Sequence, residues 1–152
     1  MKIFRSIDDI RAAVGESLGT SDWVDVTQER INTFAAATGD EQWIHVDVER
    51  ANAESPFGGP IAHGYLSLSL LPMLGWQIYK TEGAKMGVNY GSNRVRFPSP
   101  VPVDSRLRLH AVLKEVDLLL DGSVQMVVTQ TLEIEGHPKP AVVAETVSRV
   151  FY

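Results

Sequence analysis

Residues 62–79 are apolar on nearly every side: Tyr65, Leu66, Leu68, Leu70, Leu71, Met73, Leu74 and Trp76 leave little polar face. A helix of that kind has to be enclosed by other structure. The run is too short to cross a bilayer, and Pro72 within it removes a backbone donor and clashes with the preceding turn. The pattern therefore predicts a kinked core helix and no membrane span. Beyond it the period changes. Leu107, Leu109, Ala111 and Leu113 alternate with Arg106, Arg108, His110 and Lys114, and similar alternation returns over residues 124–135 and 141–150. A two-residue repeat is that of a half-buried strand. Asp121-Gly122 and Gly136-His137-Pro138 supply turns, and residues 86–97 read as a further strand. The prediction is an α+β domain in which an antiparallel meander wraps the apolar helix.

Upstream, Ser6 and Asp9 mark the start of a short helix carrying Ile7, Ile10, Ala13 and Val14, and residues 23–26 suggest a brief strand. Thr27 is placed to cap a helix with Ile31, Phe34, Ala35 and Thr38 on one face, stopped by Gly39. Asp40 then lies just past a helix end. Residues 41–60 are irregular, with Pro56, Gly58, Gly59 and Pro60 marking loop, the kind of segment that often carries function. A length of 152 residues suits one domain over 1–152. The chain has no cysteine, which excludes disulfides, thiolate nucleophiles and cysteine-ligated metals and is compatible with the cytoplasm. Charges over residues 1–9 occupy the place of a signal peptide's apolar stretch, so none is expected. A net charge of −5 argues against a nucleic-acid surface.

Asp40 and His45 are five residues apart, a spacing that does not share a helix face. They meet only if the loop after Gly39 doubles back. A carboxylate and an imidazole that do meet can hold one water, the first taking its proton and the second orienting it or returning a proton. Singly, each has an ordinary reading, as a loop carboxylate and a partly buried histidine. Jointly, Phe34-x-x-x-Thr38-Gly39-Asp40-x-x-x-x-His45-x-Asp47, followed by Gly59-Pro60-Ile61-Ala62-His63-Gly64, resembles the MaoC-like (R)-specific enoyl-CoA hydratases, which have the hotdog fold. A second matching stretch is Asn89-Tyr90-Gly91-x-Asn93-x-Val95-Arg96-Phe97-Pro98-x-Pro100-Val101.

The resemblance implies reversible addition of water to a trans-2-enoyl-CoA, giving the (R)-3-hydroxyacyl-CoA of fatty-acid metabolism. It implies Asp40 and His45 as the catalytic pair and Gly64 as the residue whose backbone N–H receives the thioester oxygen. It also implies a homodimer with active sites near the subunit interface. The physics agrees for Gly64, since attack at Cβ pushes charge onto that oxygen and a helix start presents unpaired N–H groups. The resulting expectation is a cytoplasmic lyase without cofactor or metal, acting on an acyl-CoA. The chain departs from many relatives in having Gln42-Trp43 where they have Asn-Pro. Gln42 is expected to replace the missing amide and Trp43 to pack the loop down.

Among the neighbouring residues, His63 is expected to bond the loop backbone and hold the helix start. Asp47 either orients His45 or caps the next turn. A metal site on His45 and Asp47 has no evident third ligand. Arg94 and Arg96 suit coenzyme A phosphates or a solvated strand face. Tyr65, Leu68, Met73 and Trp76 read as core or dimer packing before acyl pocket, and His110 and His137 as solvated. The rival functions are a hotdog thioesterase and an acyl-thioester binding module whose loop Gln42-Trp43 has disabled.

Overall fold

The computed structural model describes residues 1–152. Strand β1 (Lys2–Phe4) leads into α1 (Ile7–Ala12), where the Ser6 hydroxyl accepts the Asp9 N–H as a helix cap. Strands β2 (Ser17–Thr20) and β3 (Val24–Val26) precede α2 (Gln28–Thr38). Thr27 caps α2 by accepting the Arg30 N–H, and Gly39 closes it at φ 78°, a left-handed conformation that costs glycine little.

Residues 41–60, expected as loop, instead contain α3 (Trp43–Val46) and α4 (Val48–Glu54). The apolar run, expected as one kinked helix, is two segments, α5 (Gly64–Ser69) and α6 (Leu71–Ile78). Pro72 sits in the first turn of α6, where its missing N–H is tolerated. The chain continues through β4 (Tyr79–Thr81), β5 (Met86–Arg96), β6 (Ser105–Leu118), β7 (Val124–Ile134) and β8 (Val142–Phe151).

The main sheet runs β2-β6-β7-β8-β5, with β3 also on β6, and its pairings are all antiparallel. β6, β7 and β8 form the expected meander, but β5 precedes them in the chain and lies beyond β8, so it is an edge. β1 and β4 make a separate parallel pair. Leu70, Leu71, Leu74 and Ile78 of the helical run share one hydrophobic cluster with Leu107, Leu109 and Leu113 of β6 and Met126, Val128 and Leu132 of β7. The sheet thus covers one side of α5 and α6. It does not cover the other: within the chain Tyr65 is 69% exposed and Trp76 74% exposed, against the expectation of full enclosure. β5 is also exposed at every residue except Val95.

Two smaller expectations differ in outcome. His137 lies exposed in a turn, as expected. His110 is not free in solvent: its Nε2 lies 2.6 Å from Glu133 Oε2, and Arg108 donates to the same oxygen at 2.9 Å. This pairing, with the histidine contact foremost, holds the Glu133 carboxyl below its ordinary range.

Candidate active site

The Gly39 turn ends α2 and sends Asp40 outward, with its side chain 53% exposed. The single turn of α3 then brings His45 back underneath, where it is 6% exposed. Neither Asn nor Pro is needed for this. Gln42 precedes α3 and makes no side-chain cap there. Trp43 is half-buried beneath the Arg50 guanidinium, 4.3 Å from its ring centre, in keeping with its expected packing role. Asp47 resolves to the capping alternative: its carboxylate accepts the Arg50 N–H at 3.0 Å and starts α4.

The backbone around His45 is tied on two sides. Gln28 Nε2 donates to the His45 carbonyl at 2.7 Å, joining α2 to α3. The Ile61 N–H donates to the Ile44 carbonyl at 3.1 Å, and Ala62 N–H to Val101 at 2.8 Å. Ile61 answers through its own carbonyl, which lies 2.6 Å from His45 Nδ1. A carbonyl can only accept, so Nδ1 carries the hydrogen. In the neutral ring, Nε2 therefore keeps its lone pair.

His63 completes the cluster. Its Nε2–H donates to the Asp40 backbone carbonyl at 2.8 Å, matching the expected backbone-holding role. Its ring stacks on His45 with centroids 3.8 Å apart, and Phe34 lies at 5.0 Å on the cluster's edge. Nδ1 of His63 is buried without a hydrogen-bond partner. Polar donor atoms of Asp40, His45 and His63 all lie within 4.8 Å of one another. Burial chiefly lowers the His45 pKa below its usual 6.5; the Ile61 carbonyl opposes this, the His63 ring adds to it, and Asp40 opposes it.

A carboxylate and two imidazoles also make a donor set acceptable to a transition metal. Each imidazole offers only its second nitrogen, since the first already donates to a carbonyl. Gly64 opens α5 beside this cluster, and His63 before it makes no side-chain cap. The first N–H groups of the helix are therefore without helical partners. Arg94 and Arg96 are exposed on β5 and neither forms an ion pair, although Arg94 lies opposite Glu145 in the register with β8.

Two positioning groups escaped the sequence. The Ile61 carbonyl is backbone and has no residue-type signal; Gln28 is an ordinary first-turn residue whose partner lies seventeen positions away.

A family model of the MaoC like domain matches residues 9–135. The chain belongs to the MaoC-like dehydratase family. A relative, 3-hydroxyacyl-thioester dehydratase Z of Mycobacterium tuberculosis, is 55% identical over 149 residues, 98% of each chain. Among solved structures, the monoamine oxidase regulatory protein from Archaeoglobus fulgius superposes with a TM-score of 0.81 at 25% identity, covering 98% of this chain and 95% of that one. An (R)-hydratase from A. caviae involved in PHA biosynthesis gives a TM-score of 0.71 at 24% identity over 89% and 94% of the two chains, a likeness of fold. The MaoC-like chain has the hotdog fold and is an enzyme of the hydro-lyase class. No helix in it is long and apolar enough to cross a membrane.

Proposed function

We propose that the protein is an (R)-specific enoyl-CoA hydratase, interconverting trans-2-enoyl-CoA and (R)-3-hydroxyacyl-CoA in cytoplasmic fatty-acid metabolism. The observation that carries this reading is the forced tautomer of His45: with Nδ1–H given to Ile61, the ring keeps a lone pair at Nε2, in a cluster where ligating atoms of His45, Asp40 and His63 lie within 4.8 Å of one another. One water can donate a hydrogen to that lone pair and another to the Asp40 carboxylate, which leaves an oxygen lone pair free to attack Cβ. As the C–O bond forms, one of the two groups takes a proton from the water. That proton passes to Cα, so the elements of water are added and nothing else is consumed. Charge gathering on the thioester oxygen is met by the Gly64 N–H at the start of α5. The mycobacterial relative is a 3-hydroxyacyl-thioester dehydratase, which supports the substrate class. Arg94 and Arg96 are assigned to the coenzyme A phosphates, and residues 1–152 to one domain.

Loss of enoyl absorbance from crotonyl-CoA, with chiral analysis of the product, tests the reading. Formation of the (S) alcohol, or release of free thiol without hydration, would overturn it; the latter is what a thioesterase does.

The acid limb of the rate profile follows from His45. Its folded pKa lies below the unfolded 6.5, so above 6.5 the ring is neutral in both states and the site leaves stability unchanged. As pH falls through 6.5 the unfolded chain takes the proton first, and stability is lost until the folded ring also titrates. Activity is expected to hold through 6.5 and decline only below it. A kcat/KM profile with its acid midpoint above 6.5 would contradict that environment.

Gly64→Ala provides a separate check on the helix start. A Cβ there would lie 3.2 Å from the Phe97 ring, so the ring or the helix must give by a few tenths of an ångström. The variant is expected to fold with near-normal stability yet lose about tenfold in kcat/KM, because the donor is displaced. Unaltered kinetics would remove Gly64 from the site.

A homodimer accounts for the exposed surfaces. β5 presents a long open edge with Met86, Val88 and Tyr90 exposed, next to exposed Trp76. Such an edge is a liability unless it is paired. Sedimentation equilibrium is expected to give twice the chain mass, and a monomer at micromolar concentration would refute the pairing.

A further inference from the structure

A glycine in a folded chain answers either an unusual conformation or a shortage of space. Gly64 does not answer the first: it opens α5 and is not among the glycines with positive φ. Space is its reason. Gly75, Gly87 and Gly91 also lack a positive φ, and nothing lies within 4 Å of where a Cβ on them would stand. At Gly64 that point is 3.2 Å from Cγ and Cδ1 of Phe97 and 3.3 Å from its Cδ2. The Phe97 ring therefore closes over the Gly64 Cα and takes the place of a side chain.

Filling the core does not explain the ring. Phe97 follows the last residue of β5 and is 43% exposed. Tyr65 meets it edge-on with centroids 6.0 Å apart, and neither ring belongs to the hydrophobic cluster between the helices and the sheet. A half-exposed ring outside that cluster adds modestly to stability. What it does touch is the residue that offers the backbone donor. Hydrogen bonds hold the chain on either side: Ala62 N–H donates to the Val101 carbonyl, and the His63 ring to the Asp40 carbonyl. His63 makes no side-chain cap, and glycine has no Cβ to restrict its own backbone. At residue 64 the restraint is the ring.

We propose that Phe97 is a positioning residue of the site: its ring, standing in for a side chain at residue 64, holds the Gly64 N–H in line with the thioester oxygen. The proposal rests on the hydratase reading for the reaction that this donor serves. A donor aimed at developing charge acts more strongly in the transition state than on bound substrate, so its misplacement lowers kcat more than it raises KM. Ring and glycine are also a matched pair. The space that a Cβ at residue 64 needs is the space the ring occupies, so substitutions at the two positions cannot act independently.

The test compares Gly64→Ala, Phe97→Ala and the double variant as full-length proteins. Phe97→Ala is expected to lose about tenfold in kcat on crotonyl-CoA, with KM within about threefold of wild type and little change in melting temperature. Phe97→Leu, which keeps a branched Cγ, replaces it if the alanine variant does not fold. With the ring gone, Gly64→Ala should change kcat/KM by less than about threefold, where it loses about tenfold in the wild-type background. Losses that multiply in the double variant, or a wild-type kcat in Phe97→Ala, would overturn the proposal. A second readout needs no turnover. Amide spectra of protein labelled with ¹⁵N only at glycine are recorded against butyryl-CoA, which cannot be hydrated, and the Gly64 signal is identified by its loss in Gly64→Ala. That signal is expected to move on binding to the wild type and to move less than about half as far in Phe97→Ala. Equal movement in both proteins, or none in the wild type, would refute the role of Phe97. A Phe97-dependent movement in a protein that leaves crotonyl-CoA unchanged would instead refute the hydratase reading alone.

Discussion

Asp40→Asn and His45→Gln will each slow hydration of crotonyl-CoA by about 10²- to 10⁴-fold. The asparagine variant is the cleaner of the two. The Asp40 side chain is half-exposed and its backbone, not its carboxylate, is what His63 holds at 2.8 Å. Replacing the carboxylate by an amide keeps shape and fold while one end of the water loses its proton acceptor. Stability should change by no more than about 0.5 kcal/mol. His45→Gln retains a donor for the Ile61 carbonyl but loses the stack on His63, so some lowering of melting temperature is expected with the rate loss. Steady-state assays on folded protein decide the matter: unchanged rates in both variants would sink the assignment of the pair.

The second large effect is on stability. Leu74→Ala is expected to cost about 2–5 kcal/mol, since a fully buried leucine is removed from the junction of α6 with the sheet. That is a substantial part of the roughly 5–15 kcal/mol that holds a domain of this size together. Urea unfolding monitored by tryptophan fluorescence gives the number. A loss below about 1 kcal/mol would mean that the helix does not anchor the sheet through this face.

Much of the fold was legible because the elements are long or carry their own end signals. Thr27 and Gly39 bound α2 through side-chain and backbone chemistry that needs no tertiary partner. β6, β7 and β8 keep a period of two over ten or more residues. By contrast α3 has four residues and α4 seven, too short for periodicity to register. Much of what holds α3 in place comes from elsewhere in the chain, through Gln28 and Ile61. Strands β1, β2 and β4, of three or four residues, are invisible for the same reason. The exposure of Tyr65 and Trp76 was hidden differently: a helix apolar on every side has no stripe to say which face the sheet takes.

The residue types of the site were present in the sequence from the start. Asp40, His45, His63 and Gly64 stand in the spacing that carries the family resemblance, and an acid, two imidazoles and a helix start suit proton transfer beside a backbone donor. What the sequence by itself determined was therefore the family, the order of the long elements and the residue types of the candidate site. Tertiary structure alone decided which nitrogen of His45 is free, because that depends on a carbonyl sixteen residues away. It alone placed Asp47 on a helix cap and out of the site, and set the Phe97 ring over Gly64. Partners that are backbone atoms, or lie far along the chain, leave no mark on local residue pattern, so only the folded chain can specify them.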